Sequence, residues 1–182
     1  LRCLVGSEMC IRDRISGAAD LELNELLSIS NGELSSSGGE IRLNNGLDIS
    51  GGKVEFLNSS LLIGSELGSQ VSLIQSGGSL LTDTSSLQLI QNLILQSIEG
   101  FSFQSLDLNS RELSLASETS SLSLKEKLIF DLVSEKIDTG SADLRLEGGI
   151  QMSAGEISSS GGTIALSLTC LLYTSDAADE WL

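Results

Sequence analysis

The chain of 182 residues contains no histidine and no proline, and aromatic residues make up only 3% of it. Its three cysteines, Cys3, Cys10 and Cys170, lie close to the two ends. Without histidine, neither Ser-His-Asp nor Cys-His catalysis can be assembled, and the usual zinc ligand sets are incomplete. Because the long stretch between Cys10 and Cys170 has no cysteine, disulfides do not hold its fold together.

Cations and long apolar runs are also scarce. The chain has 10 Lys and Arg against 25 Asp and Glu, which gives a formal net charge of −15. Such a surface repels nucleic acid and anionic membranes. No apolar run reaches the roughly 18 residues that a membrane-spanning helix needs. We therefore expect no nucleic-acid partner and no membrane insertion, and we interpret the acidity as a means of keeping an elongated, exposed molecule soluble.

The sequence does contain a short internal repeat. The stretch from Ile41 to Leu61, IRLNNGLDISGGKVEFLNSSL, holds three apolar-polar-apolar runs separated by Asn, Gly and Ser. Alternation with period two is typical of a strand with one buried face, and the separating residues are turn formers. Similar runs return about every 20 residues in three interleaved series, which start at Leu21, Leu27 and Leu34.

The positions of the series predict which strands should stack. The first series passes from Ile41 through Leu61 to Leu80, the second from Leu47 to Leu67, and the third from Val54 to Leu73 and Leu93. One set of three short runs cannot bury its apolar residues alone, whereas stacked copies form a continuous core. The sequence therefore predicts an all-β, three-faced parallel β-solenoid (β-helix) with about 20 residues per coil and seven to eight coils. Parallel crossovers favour a right-handed coil.

One segment leaves an alternative open. In SLKEKLIFDLVSEKI, Leu124, Leu128 and Leu132 fall at helical spacing, with charged residues between them. The third series also lengthens its step there, from Leu113 to Ile137. Residues 125–136 are therefore either part of a coil with an inserted loop or a helix.

The two ends do not follow the repeat. LVGSEMCIRDR near the start and CLLYTSDAADE near the end resemble translated adapter sequence from transposase-based DNA library preparation, a contaminant of metagenomic assemblies. Met9–Arg14 can be encoded as ATG TGT ATA AGA GAC AGA, and the reverse complement of that string, read in a shifted frame, encodes Cys170–Thr174. We therefore expect residues 1–14 and 170–182 to be adapter-derived, and residues 15–169 to be a β-solenoid fragment of a longer protein.

In this predicted register, few outward-facing residues have side chains that could act in catalysis or bind a metal ion. Asp48 and Asp107 fall three coils apart, roughly 14 Å at strand spacing, which is too far for the paired carboxyls of a glycosidase. Glu22 beside Arg42 is interpreted as a cross-strand ion pair. Neither a G-G-x-G-x-D repeat nor a D-x-D-x-D-G loop, both of which bind calcium, is present. We expect no catalytic residue, no cofactor and no metal site.

Four apolar side chains fall at outward places near the middle of the predicted rod. They are Leu62, Leu81, Ile74 and Ile94. An exposed apolar strip would mark a lateral contact with a partner or with another part of the parent chain. A register error of one residue would instead turn these side chains into the core. Both interpretations are open at this point.

The stretch GEIRLNNGLDISGGKVEFLNSS and the other copies of the repeat resemble the right-handed parallel β-helix of filamentous-haemagglutinin-type exoproteins and autotransporter passengers. The resemblance covers nearly all of residues 15–169. It implies an adhesin-like shaft that is extracellular or displayed on the cell surface. It carries over no functional residue, because no family signature is present.

Two functions are therefore expected as alternatives. The first is a structural or adhesive shaft without catalytic activity, stacked between other parts of the parent chain, with a cell-surface or glycan ligand as its expected partner. The second is the scaffold of a polysaccharide-acting β-helix enzyme whose catalytic coils lie elsewhere. Outward carboxylates with Lys or Arg on three adjacent coils would favour the second.

Overall fold

The computed structural model describes residues 20–68 and 70–167. This part of the chain forms 21 short strands and contains no helix. Each turn of the chain supplies three strands, so that the described residues make seven coils of a parallel β-solenoid. The predicted fold class is confirmed. The adapter-like segments 1–14 and 170–182 lie outside the described residues.

Every third strand falls on the same face of the rod, and all of the pairings are parallel. Face A consists of β1 (Leu21–Leu23), β4 (Glu40–Leu43), β7 (Ser60–Ile63), β10 (Ser86–Leu89), β13 (Ser105–Asp107), β16 (Leu128–Phe130) and β19 (Ile150–Met152). Face B consists of β2 (Leu27–Ile29), β5 (Leu47–Ile49), β8 (Gln70–Gln75), β11 (Asn92–Ser97), β14 (Glu112–Leu115), β17 (Lys136–Asp138) and β20 (Glu156–Ser158). Face C consists of β3 (Glu33–Ser36), β6 (Lys53–Phe56), β9 (Ser79–Leu81), β12 (Phe101–Phe103), β15 (Ser121–Leu124), β18 (Asp143–Leu146) and β21 (Ile164–Leu166).

The core is a set of stacked apolar rows inside the three faces. Alternate residues of each strand point inward, as in β11, where Leu93 and Leu95 are fully buried and Ile94 between them points outward. The phenylalanines fill the wider places of the interior, and the rings of Phe101 and Phe103 stack with centroids 6.3 Å apart. The rows join into one hydrophobic cluster that runs through the coils.

The predicted register fails at the third coil. Leu61 pairs with Leu87, Leu47 with Leu73, and Val54 with Leu80. The cause is a six-residue connection between β7 and β8, where the second coil has three residues between β4 and β5. A constant step of about 20 residues falls short of this longer coil, so that each predicted series continues on the face that precedes its own in chain order. Leu67, which that prediction placed in the core, is fully exposed.

Beyond this loop the predicted pairings are largely confirmed. Phe101 pairs with Leu122, which pairs with Leu144. Leu113 pairs with Ile137, although Leu93 lies opposite Val71 rather than Leu73. The coils here have nearly constant length, so that a constant step places the strands correctly.

The segment 125–136 contains no helix. Leu124 and Leu128 are buried on successive strands, whereas Leu132 is 45% exposed. Residues 131–135 form the connection between β16 and β17, two residues longer than the one between β19 and β20. The Glu135 carboxylate accepts hydrogen bonds from the amide nitrogens of Asp131 and Leu132, at 2.9 and 3.0 Å. The lengthened loop is therefore correct and the helix is wrong.

Glycines allow the corners between faces B and C to stack at strand spacing. Gly52 has φ of +73°, and a Cβ atom placed on it would lie 2.5 Å from the carbonyl oxygen of Gly32 one coil earlier. Gly78 repeats the arrangement against the carbonyl oxygen of Gly52. Only glycine adopts this conformation readily and leaves room for the next backbone.

The alternation of inward and outward side chains predicts a large difference between two neighbouring substitutions. Leu95→Ala removes a fully buried side chain and should lower the free energy of unfolding by about 2–5 kcal/mol. Ile94→Ala, on the outward side of the same strand, should cost less than about 1 kcal/mol. Urea unfolding followed by circular dichroism measures both, and equal losses would contradict the assigned register.

Candidate functional site

The structure separates the four residues of the predicted lateral strip. Leu62 lies on face A between Arg42 and Gln88, and is only 6% exposed. Leu81 lies on face C opposite Glu55 and is 42% exposed. The two are not on neighbouring strands of one face, because the third-coil loop shifts the register between them.

The other two strip residues share face B. Ile74 lies between Asp48 and Gln96, and Ile94 lies on the adjacent strand two residues away. Both side chains are half-buried and point outward. The structure therefore brings together only Ile74 and Ile94, diagonally. A lateral contact through them stays a prediction.

Two pairs of charged residues also lie differently in the structure from what the sequence predicts. Asp48 lies on face B and Asp107 on face A three coils later, so that the two carboxylates are not on the same face as expected. Glu22 is opposite Arg42 in the register, but the Arg42 guanidinium binds Glu40 at 3.0 Å. The cross-strand ion pair expected between Glu22 and Arg42 is therefore replaced by one along the strand.

A shallow concave region, largely open to solvent, follows the corner between faces C and A. This corner groove has a volume of about 500 Å³. Asn58, Thr84, Gln104 and Glu126 line it from four successive corners, and Gly39 lines it from the corner before them. At the spacing of parallel strands, five successive corners extend over roughly 19 Å along the rod.

Unequal corner lengths make the surface concave. Gln104 is the only residue between β12 and β13, whereas residues 82–85 and 125–127 form the corners one coil before and one coil after. The chain therefore turns closest to the core at Gln104, and the longer corners project on either side. The Lys125 ammonium reaches over this gap to the Asp83 carboxylate at 2.9 Å.

Hydrogen bonds fix the floor of the corner groove. The Ser85 hydroxyl is fully buried, donates to the carbonyl oxygen of Phe56 at 2.7 Å and accepts from the amide of Ser59 at 3.0 Å. The Thr84 hydroxyl accepts from the amide of Asn58 at 3.1 Å. Side chains of one corner thus hold the backbone of the corner before it.

Three serines form a ladder along the groove. Ser60, Ser86 and Ser105 begin successive strands of face A and are paired in register. Within the described part of the chain, their hydroxyl groups have no hydrogen-bond partner in the protein. Gln104 donates to the Glu126 carboxylate at 3.0 Å. The groove thus presents hydroxyls, amides and one carboxylate that is already hydrogen-bonded.

The second concave region lies on face B. Glu112, Lys136 and Glu156 are aligned across three adjacent strands, and Asp138 is two residues beyond Lys136. We call these four residues the face-B cluster. They surround a depression of about 230 Å³, and the Lys136 ammonium lies 3.9 Å from the Glu112 carboxylate. In residues 20–68 and 70–167, no three carboxylates lie close enough together to hold a metal ion.

The sequence analysis missed both concave regions for identifiable reasons. It considered only the middle residue of each predicted run, whereas Glu112, Lys136 and Glu156 begin their strands. Lys136 also fell in the segment with an undecided conformation. The corner groove depends on the length of single corners, which a repeat with constant step does not represent.

No protein-family model matches the chain, and no curated protein or solved structure is significantly similar to it. Within the described residues, no helix is long and apolar enough to cross a membrane.

The salt bridge over the corner groove should be weak and sensitive to salt. Asp83 and Lys125 remain 46% and 35% exposed, so that solvent screens their attraction. A double-mutant cycle with Asp83→Ala and Lys125→Ala should give a coupling free energy of about 0.2–1 kcal/mol at low salt. Raising the salt to about 1 M should nearly abolish it. A coupling free energy that does not change with salt would contradict the arrangement.

Proposed function

We propose that the chain is a shaft segment of a large secreted or surface-displayed protein, without catalytic activity of its own. The observation that carries this proposal is the stacking of seven coils on one core, with face B forming a continuous sheet of seven strands. Each coil adds about 4.8 Å to the length of the rod, and pairing along three faces resists bending. A rod of this kind acts through length and rigidity.

The seventh coil supports a place within a longer shaft. Met152, Ile164 and Leu166 are the register partners of the buried residues Phe130, Leu144 and Leu146. They point to the inside of the rod but are 42–47% exposed. A further coil of the parent chain, stacked on this end, would bury them and pair the last strands.

The face-B cluster favours a second candidate, the scaffold of an enzyme that acts on polysaccharides. It places outward carboxylates and a lysine on three adjacent coils. At strand spacing, the Cα atoms of Asp138 and Glu156 are roughly 8 Å apart, so that their side chains can bring the two carboxyl groups to the separation that an inverting glycosidase uses. The depression of about 230 Å³ is smaller than the roughly 300–1,000 Å³ of usual ligand sites, and for this reason the shaft remains our first proposal.

If the rod is modular, one whole coil should be dispensable. Leu27 and Leu47 are register partners, so that deletion of residues 27–46 joins Leu26 to Leu47 and removes one full coil. The face-B cluster is untouched, and the corner groove loses only Gly39 at its end. We expect a folded protein with a β-rich circular dichroism spectrum, shorter by about 4.8 Å in small-angle X-ray scattering.

Deletion of residues 93–102 is the control. It removes half a coil from the middle of the rod, so that β1 to β10 fall on the wrong faces relative to the strands that follow. This variant should lose its cooperative unfolding transition. If the full-coil deletion also unfolds, or if both deletions are tolerated, the rod is not modular and the shaft proposal loses its basis.

Sequencing outward from both ends of the coding region distinguishes the two functions. For a shaft, we expect the repeat of about 20 residues to continue in the flanks, behind a secretion signal. Flanking coils that extend the face-B cluster with more Asp, Lys and Arg would instead support the enzyme scaffold. Flanks without any repeat would contradict both functions.

A further inference from the structure

The corner groove presents hydrogen-bonding groups that the fold leaves unused. Ser60, Ser86 and Ser105 are partly buried, in register, and have no hydrogen-bond partner for their hydroxyls within the described residues. Within the same residues, the carboxamide of Asn58 also has no hydrogen-bond partner. A hydroxyl both donates and accepts, and a carboxamide offers two donors and an acceptor. The groove is therefore matched to a ligand that also carries both kinds of group.

The charge of the groove excludes the common ionic ligands. No Lys or Arg lines it, and Lys125 at its rim is paired with Asp83. An anionic ligand, nucleic acid included, would meet only the negative field of the chain. Glu126 is the one carboxylate in the lining, whereas calcium takes six to eight oxygen ligands.

The shape excludes two further classes of ligand. No large apolar side chain lines the groove, so that an apolar ligand would gain little from burial. A peptide strand has no open edge to join on face A at this point, because β7 and β10 are paired on both sides. The unpaired edge of β13 is covered by β16, which packs beside it.

We propose that the corner groove binds an extended, uncharged glycan that lies along the axis of the rod. The serine ladder repeats at each strand, about 4.8 Å apart, and offers one hydroxyl per step to successive sugar rings. Asn58, Thr84 and Gln104 supply further contacts from the corners. This goes beyond the shaft function, since a spacer needs no ligand. The coil deletion above keeps the serine ladder and removes only Gly39 from the lining of the groove.

The test uses the full chain and three soluble neutral probes, namely maltohexaose, cellohexaose and mannohexaose. Hexagalacturonate serves as the anionic probe. Isothermal titration calorimetry should detect binding of at least one neutral hexasaccharide and none of the anionic one. The double variant Ser86→Ala/Ser105→Ala should bind that hexasaccharide about tenfold more weakly, because it loses two hydrogen bonds.

The matched control is Ser72→Ala/Ser102→Ala, which removes two half-buried outward hydroxyls on faces B and C. It should bind with unchanged affinity, and both double variants should keep the urea midpoint of the parent chain. The proposal is overturned if no neutral hexasaccharide binds, if hexagalacturonate binds as well or better, or if the two double variants have equal affinities. None of these results would bear on the shaft function.

Discussion

Parallel pairing of each strand with its counterpart one coil later is the interaction on which this structure depends. Strands of three to six residues have no stability as isolated elements. They persist because each strand is paired with its counterpart in at least one adjacent coil, and because stacking covers each inward apolar residue with the next. Face B is a continuous sheet of seven strands, and it spans the two breaks in pairing, between β9 and β12 on face C and between β13 and β16 on face A. The pairing fixes the direction of each strand and the face to which each side chain points. It does not fix the number of residues between two strands.

That freedom at the corners produces the surface features of the rod. A corner of one residue at Gln104 between longer corners makes the groove, and six residues between β7 and β8 make a projecting loop. Near the corners, polar side chains form hydrogen bonds with backbone groups that are not paired between strands, and with one another. The Ser97 hydroxyl, for example, donates to Gln75, which in turn donates to Glu99. In the described part of the chain, no buried side-chain nitrogen or oxygen lacks a hydrogen-bond partner.

The fold could be predicted from the sequence because its defining pattern is visible there. Apolar residues recur at every second position within each run, and the runs recur about every 20 residues. The face of each strand beyond Leu61 could not be predicted, because a constant step cannot distinguish a longer corner from a shift of the strands to another face. Leu67 looked like a core residue for this reason, and Leu132 looked helical because a lengthened corner happened to match a helical spacing. The concave regions require the three-dimensional register, which places Lys136 between Glu112 and Glu156.

The loop between β7 and β8 closes through glycines. Gly64, with φ of +105°, and Gly68 both pack against the side chain of Gln91, which is buried at the corresponding corner of the next coil. These contacts anchor the loop to the next coil, whereas Glu66 and Leu67 between the two glycines are exposed. Mutation and insertion between the two glycines therefore escape the selection that acts on the core. Related genes should diverge first at such corners, and an antibody raised against one variant of the rod would recognise others poorly if its epitope lay there.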